Sequence, residues 1–177
     1  MVDIPTLETP RLRLRSYRLD EFESYAAMWN EPSVYRYIGG QPMAREIAWT
    51  RFLRQIGHWQ HMGFGYFAIE DRETGRFLGE GGFQDMKRDL TPSIEGTMEI
   101  GYALVPDAQG KGIAEEAMRA ALDWADSRGK SNRYTCMIAI DHAASIHVAK
   151  KLGFSEFART TYHDKPVVLL ERARPLL

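Results

Sequence analysis

The stretch VPDAQGKGIAEEAMRAALDWA, Val105–Ala125, has the most chemically suggestive spacing in the chain. Gln109, Gly110, Lys111, Gly112, Ile113 and Ala114 make a short glycine-bearing turn, and an alanine-rich helical run follows at once. Backbone N–H groups at a helix start, aided by the positive end of the helix dipole, form an anion site. Each charge held there gains about 0.3–1 kcal/mol, or up to about 2 kcal/mol when partly buried. Glycine lets a phosphate come close to the main chain. Two familiar phosphate motifs do not fit. A P-loop needs Ser or Thr after its lysine, and Lys111 is followed by Gly112. A dinucleotide fingerprint begun at Gly110 needs Gly or Ala where Glu115 stands, within alternating parallel βαβ units that this pattern lacks.

Other reactive residue types carry less. Cys136 lies in the apolar run YTCMIAI and reads as a small core residue rather than a nucleophile. His58 and His61 share a helix face without a third ligand, so no metal is expected. His142 reads as a solvated loop histidine, with acid–base work as the alternative.

Periodicity shows what must position these groups. Leu12 and Leu14 alternate with Arg11, Arg13 and Arg15, the period of a half-buried strand. Asp20 can then cap a helix carrying Phe22, Tyr25, Ala26 and Trp29. Trp49, Phe52, Leu53, Ile56 and Trp59 predict a second helix from about Arg45 to His61, ended by Gly63 and Gly65. GYFAIED and FLGEGGFQD flank RETGR as a hairpin, and TMEIGYALV is an apolar strand closed by Pro106. Ile113, Ala117, Ala121 and Trp124 stripe the helix after the turn, with Gly129 as its C-cap. YTCMIAI reads as a buried strand, Ala144–Leu152 as a short helix stopped by Gly153, and FSEFARTTY with VVLLERA as a hairpin across HDKP. The order β, α, α, β, β, β, α, β, α, β, β predicts an α/β or α+β protein with a mixed, largely antiparallel sheet.

At 177 residues and 44% apolar content, one globular domain spanning 1–177 is expected. The 23 Lys plus Arg against 24 Asp plus Glu leave a net charge of −1, with no long-range field for nucleic acid or an anionic membrane. One cysteine makes no internal disulfide. No apolar run nears the roughly 20 residues of a membrane span, and MVDIPTLETPRLRLR lacks a signal-peptide core, so the expectation is a cytoplasmic protein.

Gln109-Gly110-Lys111-Gly112-Ile113-Ala114 resembles the Q/R-x-x-G-x-G/A signature of the GCN5-related N-acetyltransferases (GNAT), whose turn holds the pyrophosphate of acetyl-coenzyme A. The resemblance covers nearly the whole chain. LETPRLRLRSYRLDEF, MEIGYALVP and AASIHVAKKLGF are similar to the branch containing the ribosomal-protein alanine N-acetyltransferases. It implies a GNAT fold: a mixed, mostly antiparallel sheet of six to seven strands flanked by about four helices. The central strand ending at Val105 would splay from the one ending at Ile140, with the pantetheine arm in the gap.

The same resemblance implies roles. Glu99 would act as base, often through water, its alternative being a strand-edge carboxylate in an ion pair. Backbone N–H groups around Leu104 and Val105 would face the acetyl carbonyl, since Pro106 ends regular pairing there. Ala149 stands where many relatives place a tyrosine, so Ser145 would hydrogen-bond the leaving thiolate, or else cap the helix to Leu152. His142 replaces an asparagine on the pantetheine and offers one donor and one acceptor when neutral. The first two helices and their loop, including Tyr35, Tyr37, Gly39 and Gly40, would cover the acceptor. Glu99, Glu95 and Asp85 at the mouth would favour a cationic amine.

The resulting expectation is an acetyl-CoA-dependent N-acetyltransferase acting directly on a primary amine, either a protein N-terminus or a small-molecule amine. The alternative is a non-catalytic acyl-CoA-binding sensor on the same fold. A homodimer stays open.

Overall fold

Eight strands and five helices follow one another along residues 3–175, the span described by the computed structural model. Residues 1–2 and 176–177, the ends of the expected domain, lie outside the described residues. In chain order the elements are β1 (Leu7–Glu8), β2 (Leu12–Arg15), α1 (Phe22–Trp29), α2 (Pro32–Tyr35), α3 (Arg45–Met62), β3 (Tyr66–Asp71) and β4 (Phe77–Gln84). After them come β5 (Met98–Leu104), α4 (Ile113–Ser127), β6 (Arg133–Ala139), α5 (Ala143–Lys151), β7 (Ser155–Tyr162) and β8 (Lys165–Ala173). All strands join one sheet in the order β1-β2-β3-β4-β5-β6-β8-β7, and only β5 and β6 pair in parallel. The expected mixed, mostly antiparallel sheet is therefore present, with one strand more than the periodicity indicated. The extra strand, β1, is two residues long and too short to show a period.

Strand alternation divides the chain between two cores. Leu12, Leu14, Phe67, Ile69, Leu78, Phe83, Ile100 and Leu104 face α4, whose Ile113, Ala117, Met118 and Ala121 are buried against them. Tyr66, Ala68, Phe77 and Ala103 face the other way and pack with Phe22, Tyr25 and Trp29 of α1 and Phe52 of α3. The rings of Tyr17, Tyr25 and Phe22 all meet Phe52 edge-on. Burying one such aromatic contributes roughly 1.5–3 kcal/mol, so this cluster holds α1 and α3 to the sheet.

Asp20 does not cap α1. It lies inside a short 3-10 turn, Leu19–Glu21, and Glu21 instead accepts the backbone N–H of Arg18 at 2.9 Å while pairing with Arg15. The last hairpin turns through His163 and Asp164, both left-handed at φ 47° and 61°, the backbone of a type I′ turn. Lys165 and Pro166 consequently begin β8 rather than finishing a loop.

Candidate active site

The pairing of β5 with β6 stops early. Met98 faces Tyr134 and Glu99 faces Thr135, and no pairing follows, although β5 runs on to Leu104 and β6 to Ala139. β6 remains fully paired with β8 from Arg133 to Ala139, so the two halves of the sheet part as a wedge. A cavity of about 510 Å³ occupies this wedge and is lined by residues from both sheet faces, among them Tyr66 and Glu80 on one and Met118 and Ser145 on the other. Residues on β5 alternate across it. Ile100, Tyr102 and Leu104 look toward α4 and α5, and Glu99, Gly101 and Ala103 look toward α1 and α3. A side chain at Gly101 would collide with the Tyr66 hydroxyl, so a bare backbone is required there.

The main-chain donors separate at this point. Val105 donates its N–H to Leu78 O at 2.9 Å, which occupies it in the ladder and corrects the expectation that it faces a ligand. Peptide groups alternate sides along an antiparallel strand, so the N–H of Leu104 points into the wedge. Its carbonyl accepts Gln109 Nε2 at 2.9 Å. Gln109 also reaches Ser33 at 3.3 Å, so it ties the strand end to α2 and does not project freely from the turn.

At the head of α4, Gly110 and Gly112 are both left-handed, with φ of 71° and 75°. Gly112 is the N-cap, and Glu116 N–H to Gly112 O at 3.1 Å is the first helical bond. Among the described residues, the backbone N–H groups of 110–115 donate to nothing, and the space before Gly110 is open. Ile113 and Ala114 are buried and anchor the helix start, while Lys111 stays exposed. Arg11 fixes this turn from β2's side. It donates to Lys111 O at 2.9 Å and to Glu116 at 2.6 Å, and Thr9 adds a 2.6 Å bond to Glu116. Burial works against the Glu116 carboxylate, but Thr9 and Arg11 outweigh it and hold its pKa down. Sequence spacing gave no sign of this clasp across more than a hundred residues.

Glu99 is buried and accepts Arg88 Nε at 2.7 Å. Arg88 also donates to the Tyr162 hydroxyl at 3.2 Å. Burial alone would lower the Arg88 pKa, yet the hydrogen bond and charge of Glu99 raise it. Gln84 stands directly across from Glu99 in the β4–β5 register and begins a chain of side-chain bonds. Gln84 donates to Gln55 at 2.9 Å, Gln55 to Glu80 at 3.3 Å, and Tyr17 to Glu80 at 2.6 Å.

On the other face, Ser145 is the third residue of α5 and not its cap; His142 holds that position without a side-chain cap bond. The Ser145 hydroxyl instead accepts the Tyr102 hydroxyl at 3.3 Å. Burial raises the Tyr102 pKa, partly offset by this bond. Tyr102, from the facing strand, lines the same cavity as Ala149, the position left without a tyrosine. His142 is not a solvated loop residue. Its ring stacks on Tyr37 at 3.8 Å and 10°, and burial first, then Arg36, lowers its pKa.

The mouth is not acidic. Asp85 and Glu95 both engage Lys87, at 3.2 and 2.8 Å, and neither lines the cavity. Cys136 does line it, buried, with its thiol pushed up chiefly by that burial. His58 spends both ring nitrogens structurally, on Phe64 O at 2.7 Å and Asp85 N–H at 3.1 Å. Among the described residues no cluster of three potential ligands could hold a metal, and no helix is long and apolar enough to cross a membrane.

Residues 11–155 match the family model of the acetyltransferase (GNAT) domain. The chain is 30% identical over 170 residues to protein YkkB of Bacillus subtilis, covering 94% of each. It is 27% identical over 152 residues to the N-acetyltransferase p20 of Bacillus licheniformis, covering 85% of this chain and 83% of that one. Among solved structures, a GnaT-family acetyltransferase from Bordetella pertussis superposes with a TM-score of 0.85 at 29% identity, over 96% of this chain and 99% of that one.

Proposed function

The chain belongs to the GNAT acetyltransferase family and is an N-acetyltransferase, and from that premise we propose that it transfers an acetyl group from acetyl-CoA directly to a primary amine within a ternary complex. The observation that carries this reading is the wedge between β5 and β6, which connects the glycine turn's side of the sheet to the Glu99 side. Acetyl-CoA supplies the reactive thioester when bound.

The residues present suit that cosubstrate. The N–H groups of 110–115, left-handed glycines at 110 and 112 and the clasped Arg11 offer a pyrophosphate several donors at a helix N-terminus. The Leu104 N–H offers the acetyl oxygen a donor that costs no reorganisation. His142 is held by Tyr37 at the rim, where its remaining edge can meet the pantetheine amides.

On the opposite face Glu99 takes the proton that the amine must lose, directly or through one water. The amine nitrogen bonds to the acetyl carbon, the C–S bond breaks, and the sulfur leaves as thiolate. Ser145, itself supported by Tyr102, hydrogen-bonds that sulfur. A hydroxyl is far less acidic than a thiol of pKa near 8.5, so this is stabilisation rather than outright proton donation.

The acceptor in this reading is a protein N-terminus or a small-molecule amine. Calorimetry with acetyl-CoA, followed by thiol release across an amine panel, tests it. Micromolar binding with amine-dependent release is the expected result. Binding without release for any amine would support a sensor instead, and no binding would remove the phosphate assignment.

A further inference from the structure

The acceptor half of the cavity carries more positive charge than its own protein can neutralise. Arg51, Arg54, Arg88 and Lys165 line it, against only Glu80 and Glu99. The whole chain has a net charge of −1, so this excess is local. Arg88 is satisfied by Glu99 and Tyr162. The two arginines of α3 are not.

Arg51 makes one long bond, 3.3 Å to Glu80, and its guanidinium lies 3.9 Å above the Trp29 ring. A guanidinium has five donors. Its Nε makes no well-formed hydrogen bond; with Trp29 Nε1 it faces only the buried Tyr25 hydroxyl, which is itself without a well-formed partner. Glu80 does not depend on Arg51 alone, because Tyr17 and Gln55 also donate to it. Arg54, one helical turn on, has no hydrogen bond or ion pair among the described residues. Its pKa is lowered by burial and then by the charge of Arg51. Burial works against the Arg51 charge, but Glu80 holds it, and that charge in turn lowers the Arg54 pKa, so an anion placed between the two guanidiniums relieves the repulsion.

Building on the acetyl-transfer reading, we infer that the acceptor is a small amine bearing its own carboxylate, held by Arg51 and Arg54 while its amino group meets Glu99. A guanidinium fork matches a carboxylate in geometry and charge. The nearby Glu80 carboxylate disfavours a doubly charged phosphate or phosphonate at the same place. Along β5, Glu99 and the residue facing Glu80, Ala103, are four positions apart, roughly 13 Å of strand. Tyr66 and the Gln84–Gln55–Glu80 chain line that span, and the cavity beside them reaches Arg51 and Arg54 as well as Glu99.

Matched acceptors test this on the full chain with acetyl-CoA: leucine against leucinamide, γ-aminobutyrate against its amide, the phosphonate analogue of leucine, and a short peptide with an amidated C-terminus. At least one carboxylate should exceed its amide by about 10- to 100-fold in kcat/KM, carried mainly by KM. Arg54→Gln, at the exposed rim where folding is not at risk, should bring that ratio toward one; Arg51→Gln should do the same, with a thermal melt reporting its fold. Amides equal to or better than carboxylates, a preferred phosphonate or amidated peptide, or a ratio that survives Arg54→Gln would overturn the inference. If no amine at all releases thiol, the acetyl-transfer reading itself fails, a result distinct from these.

Discussion

Replacing Glu99 by Gln keeps the side chain's shape and an acceptor for Arg88 but removes its charge and its basic oxygen. Two separable effects follow. If Glu99 is the base, turnover should fall by roughly 10² to 10⁴, equivalent to about 2.7–5.5 kcal/mol on the barrier. The fold should also weaken, because Arg88 loses a charge-assisted bond of 2.7 Å and keeps only the amide oxygen and Tyr162. Losing a bond of that kind costs about 1.5–3 kcal/mol. At roughly 2–4 °C per kcal/mol for a chain of this size, the melting temperature should drop by about 3–12 °C. Steady-state thiol release at 25 °C with a confirmed acceptor measures the first effect, and a thermal melt the second. The acetyl-CoA dissociation constant should barely change, since Glu99 and the glycine turn lie on opposite sides of β5. A variant with the lower melting temperature but wild-type turnover at neutral pH would refute the assignment and leave Glu99 only its ion-pair role.

At the turn, Gly110→Asp puts a negative side chain into open space before the unpaired N–H groups, so acetyl-CoA affinity should weaken by about 5- to 30-fold in calorimetry, and an unchanged value would remove the anion site. Tyr102→Phe and Ser145→Ala should each slow turnover by roughly 10- to 100-fold, and the double variant should be little worse than the slower single one because the two share a hydrogen bond; fully additive losses would show that they act apart. His142 has a lowered pKa in the fold, so it takes up protons less readily there than when unfolded. Its contribution to stability is therefore complete above the ordinary value near 6.5 and is lost as pH falls through the lowered one. Melts from pH 8 to 5 should show a shallower decline for His142→Gln than for wild type.

Strong periodicity made most elements legible. Leu12–Leu14, the Phe22–Trp29 helix and the Ile113–Trp124 stripe each fall where alternation or helical spacing put them. Glycines marked the turn at 110–112 correctly because their left-handed backbone is a local property. What stayed hidden depended on partners far along the chain. Val105 looked available beside Pro106, but Leu78 occupies its N–H. Period two already separates Glu99 from Tyr102 on opposite faces, yet nothing local says that Tyr102 meets Ser145 across 43 positions. Asp85 and Glu95 looked like an acidic mouth because the closing of their loop around Lys87 is a tertiary event. The spacing of Trp49, Phe52 and Trp59 located α3 but drew no notice to Arg51 and Arg54, because only the packed sheet shows that their side borders a cavity.

The clasp of Arg11 to Glu116 joins positions 105 apart, which ties the readiness of the donor turn to the order of synthesis. At about 5–20 residues per second, the amino end waits roughly 5–20 s after leaving the ribosome before its partner exists. Until then β2 lacks its outer tether and the turn has not been made. A ligand held by that turn would favour chains in which β2 and α4 are already joined by this clasp. A hundredfold excess over its dissociation constant favours that state by about 2.7 kcal/mol. In the acetyl-transfer reading, cosubstrate bound at that turn would therefore stabilise the molecule in which Arg11 and Glu116 have already met.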